Sequence, residues 1–219
     1  MRYFPAFLDL KGKPCVVVGG GRVAERKVKG LLKAGAAVRV ISPNLTSSLA
    51  RLHEKGLILH QQRPFRAADL GRAHLCIAAT DSREVNERVY QAASRQRIPV
   101  NVVDDPARCS FIVPSLVMRG DLLVAISTSG QSPALAKALR QKLQKEIGPE
   151  YALWLKILGA VRKKILPLGF DQMRNQAAFR RLAKDDLLAF IRRRDREGLD
   201  RRLKKILGPG FSLHELGVK

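Results

Sequence analysis

The sequence predicts an α/β fold: a doubly wound parallel sheet, then a small α+β region, then a helical carboxy-terminal region. Three observations predict it. Short β-branched apolar runs alternate with helical periods over the first hundred residues, the pattern of successive β-α-β units. Three consecutive glycines, Gly19-Gly20-Gly21, stand between the first apolar run and the first helical period. From Tyr151 onward only helical periodicity remains. The corresponding boundaries are 1–112, 113–148 and 149–219.

Residues 1–13 carry Phe4, Pro5, Phe7 and Leu8, an apolar lead-in expected to pack on the sheet edge. Cys15–Val18 reads as a buried strand. From Val23 the apolar positions are Val23, Ala24, Val28, Leu31 and Leu32, a helical period that stops at Gly35. Strand, glycine turn and helix in this order form a Rossmann-type phosphate turn. Gly19 allows the tight turn, Gly21 lets the backbone approach a pyrophosphate, and small Ala24 lets helix and strand pack closely. The first helical turn offers N–H groups to the phosphate charge. Residues 37–41 form the second strand. Its end, where an acidic residue usually holds a ribose, carries Ser42-Pro43-Asn44 instead. Ser42 and Asn44 can hydrogen-bond a ribose, but the missing carboxylate leaves NAD and NADP undecided.

A helix is expected over 45–55 and a strand over 57–60. A connection through Pro64-Phe65 and 67–71 leads to a strand over 74–79, ending in Thr80-Asp81. A helix over 85–97 precedes the fifth strand, 99–103, which runs into Asp104-Asp105. Ligands of such sheets sit outside the carboxyl ends of the strands, where Thr80, Asp81, Asn101 and Asp104 fall. The apolar runs 111–118 and 122–127, joined by Arg119-Gly120-Asp121, predict a hairpin. Ser132 suits an N-cap and Pro133 the first position of a helix to about Ile147. The tail is expected to break near 167–169 and again near Gly198.

The chain has 219 residues and a net charge of +22, from 41 Lys and Arg against 19 Asp and Glu. That surplus implies an anionic partner. Aromatics make up only 5% and do not interleave with the basic residues, which argues against a stacking surface for nucleic acid. No apolar run is long enough to span a membrane and no signal peptide opens the chain, so a cytoplasmic protein with no membrane partner is expected. The tail's charge reads as a solvated face. Cys15, Cys76 and Cys109 lack metal or redox spacing, as do His53, His60, His74 and His214, so no metal site is expected.

Asp104 follows a strand at the expected site, where a carboxylate can take a proton or orient a substrate; its other reading is a turn residue before Asp105-Pro106. Asp81 reads more readily as a helix cap. Ser127, Thr128, Ser129 and Ser132 place hydroxyls before a helix N-terminus, an arrangement that serves an anion site, simple capping, or both.

Taken in order, Val16–Lys27, Ala78-Ala-Thr-Asp81, Asn101-Val-Val-Asp104, Ser110-Phe-Ile-Val-Pro-Ser115 and Ser129-Gly-Gln-Ser-Pro133 resemble the precorrin-2 dehydrogenase/sirohydrochlorin ferrochelatase family, including the amino-terminal module of fused siroheme synthases. The resemblance covers roughly residues 1–150. It implies NAD-dependent oxidation of precorrin-2 to sirohydrochlorin and, in some members, ferrous iron (Fe2+) insertion. It puts the family's aspartate on Asp104. Cofactor contacts fall on Gly19, Gly21, Arg22 and Val23, on Ser42, Pro43 and Asn44, and around Thr80, Asp81, Asn101 and Val102. It also implies a homodimer, making 113–148 a dimerisation region, and a polycarboxylate tetrapyrrole that gives the basic surplus a target. A competing reading is a regulatory domain that senses NAD without chemistry.

Overall fold

Five strands of the computed structural model, β1 (Pro14–Val18), β2 (Ala37–Ile41), β3 (Ile58–Gln61), β4 (Leu75–Ala78) and β5 (Val100–Val102), pair all-parallel in the order β3-β2-β1-β4-β5. The structure describes residues 2–168, 172–184 and 186–218. Successive side chains of a strand face opposite sides, and both sides of this sheet are covered. Helices α1 (Arg22–Lys33) and α2 (Ser47–Glu54) bury Ala24, Val28 and Leu49 against Val17, Val40 and Ile77. On the other side α3 (Arg83–Arg95) and a 3-10 turn, Ala67–Leu70, bury Val89, Ala93 and Leu70 against Val16, Val18 and Cys76. Two-sided burial is why β1 and β4 read as continuous apolar runs rather than alternating ones.

Side-chain caps set the helix starts. Thr46 accepts from the Leu49 N–H at 3.3 Å, so α2 begins after it rather than at Leu45. Ser82 accepts from the Val85 N–H at 3.2 Å, so the cap of α3 is Ser82 and not Asp81. The apolar lead-in departs from its expected packing: Phe4, Phe7 and Leu8 are 85, 70 and 54% exposed, and only Leu10 is buried. The segment leads straight into β1, the central strand of the sheet, and adds no strand to either edge.

The chain divides into two units, Met1–Val113 and Pro114–Lys219. In the second, β6 (Ser115–Arg119) and β7 (Leu122–Ile126) pair antiparallel. Arg119 pairs with Leu122, so the turn is the two residues Gly120-Asp121, with Gly120 at φ 58° as a tight hairpin requires. The strand expected from Phe111 starts only at Ser115. Helix α4 (Pro133–Glu146) is capped by Ser132, which accepts from the Leu135 N–H at 3.1 Å. Helices α5 (Glu150–Ile165), α6 (Gln172–Lys184), α7 (Leu187–Arg193) and α8 (Arg196–Leu207) enclose Ile157, Val161, Leu182, Leu187, Leu199 and Leu203. A 3-10 turn, Leu166–Leu168, follows α5; Gly169, part of the break expected there, lies outside the described residues. The break expected near Gly198 falls earlier, at left-handed Arg194 and at Asp195, whose carboxylate accepts from the Gly198 N–H at 2.7 Å. Gly198 is inside the first turn of α8, because a Cβ there would overlap the Asp195 carboxylate and the Phe190 ring.

Candidate active site

The glycine turn lies where β1 separates the two halves of the sheet. Gly19 has φ 118°, donates to Ile41 O at 2.9 Å, and a Cβ on it would overlap the Ala79 carbonyl. Gly20 is equally constrained: a Cβ there would overlap Asn44 O and Ser42 Oγ, and its own carbonyl accepts from the Thr46 N–H at 2.9 Å. Gly21 differs from both. It is in extended conformation, and a Cβ on it would meet nothing within 4 Å. As N-cap of α1 it supplies no side-chain acceptor, whereas α2, α3 and α4 are capped by Thr46, Ser82 and Ser132. The N–H groups of Arg22 and Val23, with Arg22 exposed, therefore remain for an anion. An uncapped helix behind an open glycine fits a pyrophosphate.

Ser42, at the end of β2, is buried and donates to Asn44 O at 2.7 Å, while Pro43 and Asn44 are exposed. His60 Nε2 lies 2.9 Å from Ser42 O. The loop is fastened to α1 through Thr46 Oγ1, which donates to Glu25 at 2.8 Å. Hydrogen bonds from Lys29, Thr46 and Ser48 draw the Glu25 carboxyl down to about 2.

Beyond the carboxyl ends of β4 and β5 opens a cavity of about 710 Å³. Thr80, Asp81, Val102 and Asp104 line it, together with Arg83, Asn86, Glu87 and Arg108. Thr80 is pinned by Asn86: its hydroxyl donates to Asn86 Oδ1 at 2.8 Å, and Asn86 Nδ2 donates to Thr80 O at 2.9 Å. Asp104 sits at φ 60°, a left-handed conformation that costs an Asp roughly 1 kcal/mol and is often found at functional sites. Asn101 does not line this cavity. It is buried, and its amide donates to Phe111 O at 3.0 Å and lies 3.3 Å from Cys109 Sγ. Arg108 bridges two carboxylates, donating to Asp105 at 2.6 Å and pairing with Glu87. The Arg108 hydrogen bond holds the Asp105 carboxyl below its usual range. On α1, burial lowers the Lys27 ammonium, with Arg26 adding to this, while Cys109 and Asp104 act in the opposite sense.

Sequence reasoning missed Lys27, Asn86, Glu87 and Arg108, and the packing of Gly20 against Ser42 and Asn44. Asn86 left a signal, since it shares a helical face with Val89 and Ala93, where an apolar residue is the rule. The rest depend on contacts made only in the fold. In the second unit, Ser127, Thr128, Ser129 and Ser132 form a closed turn. Thr128 Oγ1 accepts from the Ser132 N–H at 3.2 Å, Ser127 Oγ accepts from the Ser129 N–H at 3.0 Å, and Ser129 is left-handed. Among the described residues no three of His, Cys, Asp and Glu group to hold a metal, and no helix is long and apolar enough to cross a membrane.

A parallel sheet ordered β3-β2-β1-β4-β5, with an open glycine at an uncapped helix after β1 and a polar cavity beyond the ends of β4 and β5, defines a dinucleotide-binding protein. The chain belongs to the family described as putative NAD(P)-binding, whose model matches residues 6–115; a second model, for the sirohaem biosynthesis protein central region, matches residues 119–146. Siroheme synthase of Photobacterium profundum is 45% identical over 165 residues, covering 75% of this chain and 35% of that protein. Siroheme synthase of Methylobacillus flagellatus is 49% identical over 151 residues, covering 69% of this chain and 32% of that protein. The chain thus spans about a third of the length of the curated relatives it matches. A solved structure, "SirC, precorrin-2 dehydrogenase", superposes with a TM-score of 0.73 at 27% identity, covering 91% of this chain and 100% of that one.

Proposed function

We propose that the chain oxidises precorrin-2 to sirohydrochlorin, with NAD as the electron acceptor: one hydride passes to the nicotinamide, giving NADH, and one proton is released. The observation that carries this reading is the left-handed Asp104 in a 710 Å³ cavity beside an uncapped phosphate turn. Gly19, Gly21, Arg22 and Val23 hold the pyrophosphate, Ser42, Pro43 and Asn44 the adenosine ribose, and Thr80, Asp81 and Val102 the nicotinamide half. Asn101 supports that half from behind, through Cys109 and Phe111. The Asp104 carboxylate accepts the proton. Ser127, Thr128, Ser129 and Ser132 receive a peripheral carboxylate of the tetrapyrrole.

The working molecule in this reading is a homodimer built on 113–148. Leu116 and Met118 share one face of the hairpin with Leu123, the cross-strand partner of Met118, and all three are exposed. Leu135 and Leu139 form an exposed stripe on α4. Such apolar surface is characteristic of an interface. Three free cysteine thiols accord with the cytoplasm as its compartment.

The test is anaerobic turnover of precorrin-2 with NAD by wild type and Asp104→Asn. Wild type is expected to form NADH, and the variant to bind NAD normally while kcat falls by about 100-fold or more. A variant with wild-type kcat removes Asp104 from the chemistry. Adding Fe2+ to the product then reads iron insertion against a protein-free control.

A further inference from the structure

We propose that Arg108 is a positioning residue for Asp104, bolting the loop that carries it to helix α3; the inference rests on the proton-accepting role given to Asp104 above. A left-handed Asp needs support from its surroundings, and the loop from Val102 to Cys109 supplies it in two places. At its base, Cys109 Sγ lies 3.2 Å from the N–H of Val102 and 3.2 Å from the carbonyls of Val102 and Asp105, folding the loop back onto the end of β5. At its outer side Arg108 reaches in two directions. Nη1 donates to Asp105, the neighbour of Asp104, and Nε engages Glu87 of α3. Helix α3 is itself fixed to the sheet by Val89, Ala92 and Ala93, so Glu87 is a firm anchor.

Arg108 is flanked by two carboxylates that more than offset its charge, which makes it a poor receptor for a third and a fastener between the two it holds. Without Arg108 the link from this loop to α3 is lost, and Glu87 and Asp105 are left facing one another uncompensated.

Steady-state kinetics of precorrin-2 oxidation, with NAD affinity measured separately, test this in Arg108→Ala, Arg108→Lys, Glu87→Gln and Asp104→Asn/Arg108→Ala. For Arg108→Ala, kcat is expected to fall about 10- to 100-fold, while the precorrin-2 KM and NAD affinity stay within about twofold. Arg108→Lys should recover part of the loss, and the double variant should be no worse than Asp104→Asn. Where Arg108→Ala does not fold, Glu87→Gln carries the test, with a smaller kcat loss. Unchanged kcat in the folded variants overturns the inference. So does a rise in the precorrin-2 KM with kcat intact, which makes Arg108 a substrate contact. A fully active Asp104→Asn overturns the underlying role of Asp104 instead.

Discussion

Gly19, Gly20 and Gly21 are adjacent, yet each is a glycine for a different reason. Gly19 turns the chain at positive φ, Gly20 makes room for the Ser42–Asn44 backbone, and Gly21 leaves an opening in front of α1. Alanine at each therefore has its own outcome. Gly20→Ala is expected to destabilise by about 1–3 kcal/mol, read as a lower Tm, because the Asn44 carbonyl must move. Gly21→Ala should leave Tm nearly unchanged and weaken NAD binding about tenfold, since its methyl would fill the opening assigned to the pyrophosphate in the proposed function. A large Tm loss for Gly21→Ala, or intact NAD affinity, contradicts this assignment. The tight turn at Gly19 was legible from spacing alone. The role of Gly20 was not, because it is set by a loop after the next strand. The same holds for Asp104 and Arg108: the strand end marked the aspartate, while nothing local marked the arginine that pairs with Glu87 and Asp105.

Among the elements, β1 and β4 were legible because burial on both faces writes them as apolar runs, and the other strands and helices because β-branched residues alternate with helical periods around them. Their ends were less so. Thr46 and Ser82 shift the starts of α2 and α3, since a cap is chosen by backbone geometry among several candidate polar residues. The tail break followed Asp195 rather than Gly198 for the same reason. One polar element escaped notice altogether. In the 3-10 turn Ala67–Leu70, Asp69 is 5% exposed, receives two hydrogen bonds from Arg63 at 2.5 and 2.9 Å and a third from the Arg66 N–H at 2.8 Å. Arg63 holds the Asp69 carboxyl below its usual range. A depressed carboxyl stabilises the fold above the unfolded value of about 4, and that contribution is lost as pH falls below it. Asp69→Asn should cost about 2 kcal/mol at pH 7, less than a fully buried pair because Arg63 keeps 31% exposure. The gap from wild type should close toward pH 3 in denaturant titrations. A gap constant across that range contradicts the role given to this pair.

For the whole molecule, a net charge of +22 pointed to an anionic partner without naming one. The cavity is the exception to that balance: Asp81, Glu87, Asp104 and Asp105 outnumber Arg83 and Arg108 there. Assembly is tested on the exposed hairpin face. Met118→Glu with Leu123→Glu should convert a dimer to monomers in sedimentation velocity, because charge is excluded from the centre of an apolar interface. A wild-type monomer at the same concentration contradicts the dimer. The lead-in shows what composition could not foresee, since Phe4 and Phe7 look like core residues and lie exposed. In the proposed function the glycine turn and the Asp104 cavity perform one oxidation together. The stoichiometry of the wild-type protein under anaerobic conditions with precorrin-2 and NAD tests this. One NADH for each sirohydrochlorin formed is the expected result; NAD bound with no NADH produced would make the fold a sensor of the cofactor and not its catalyst.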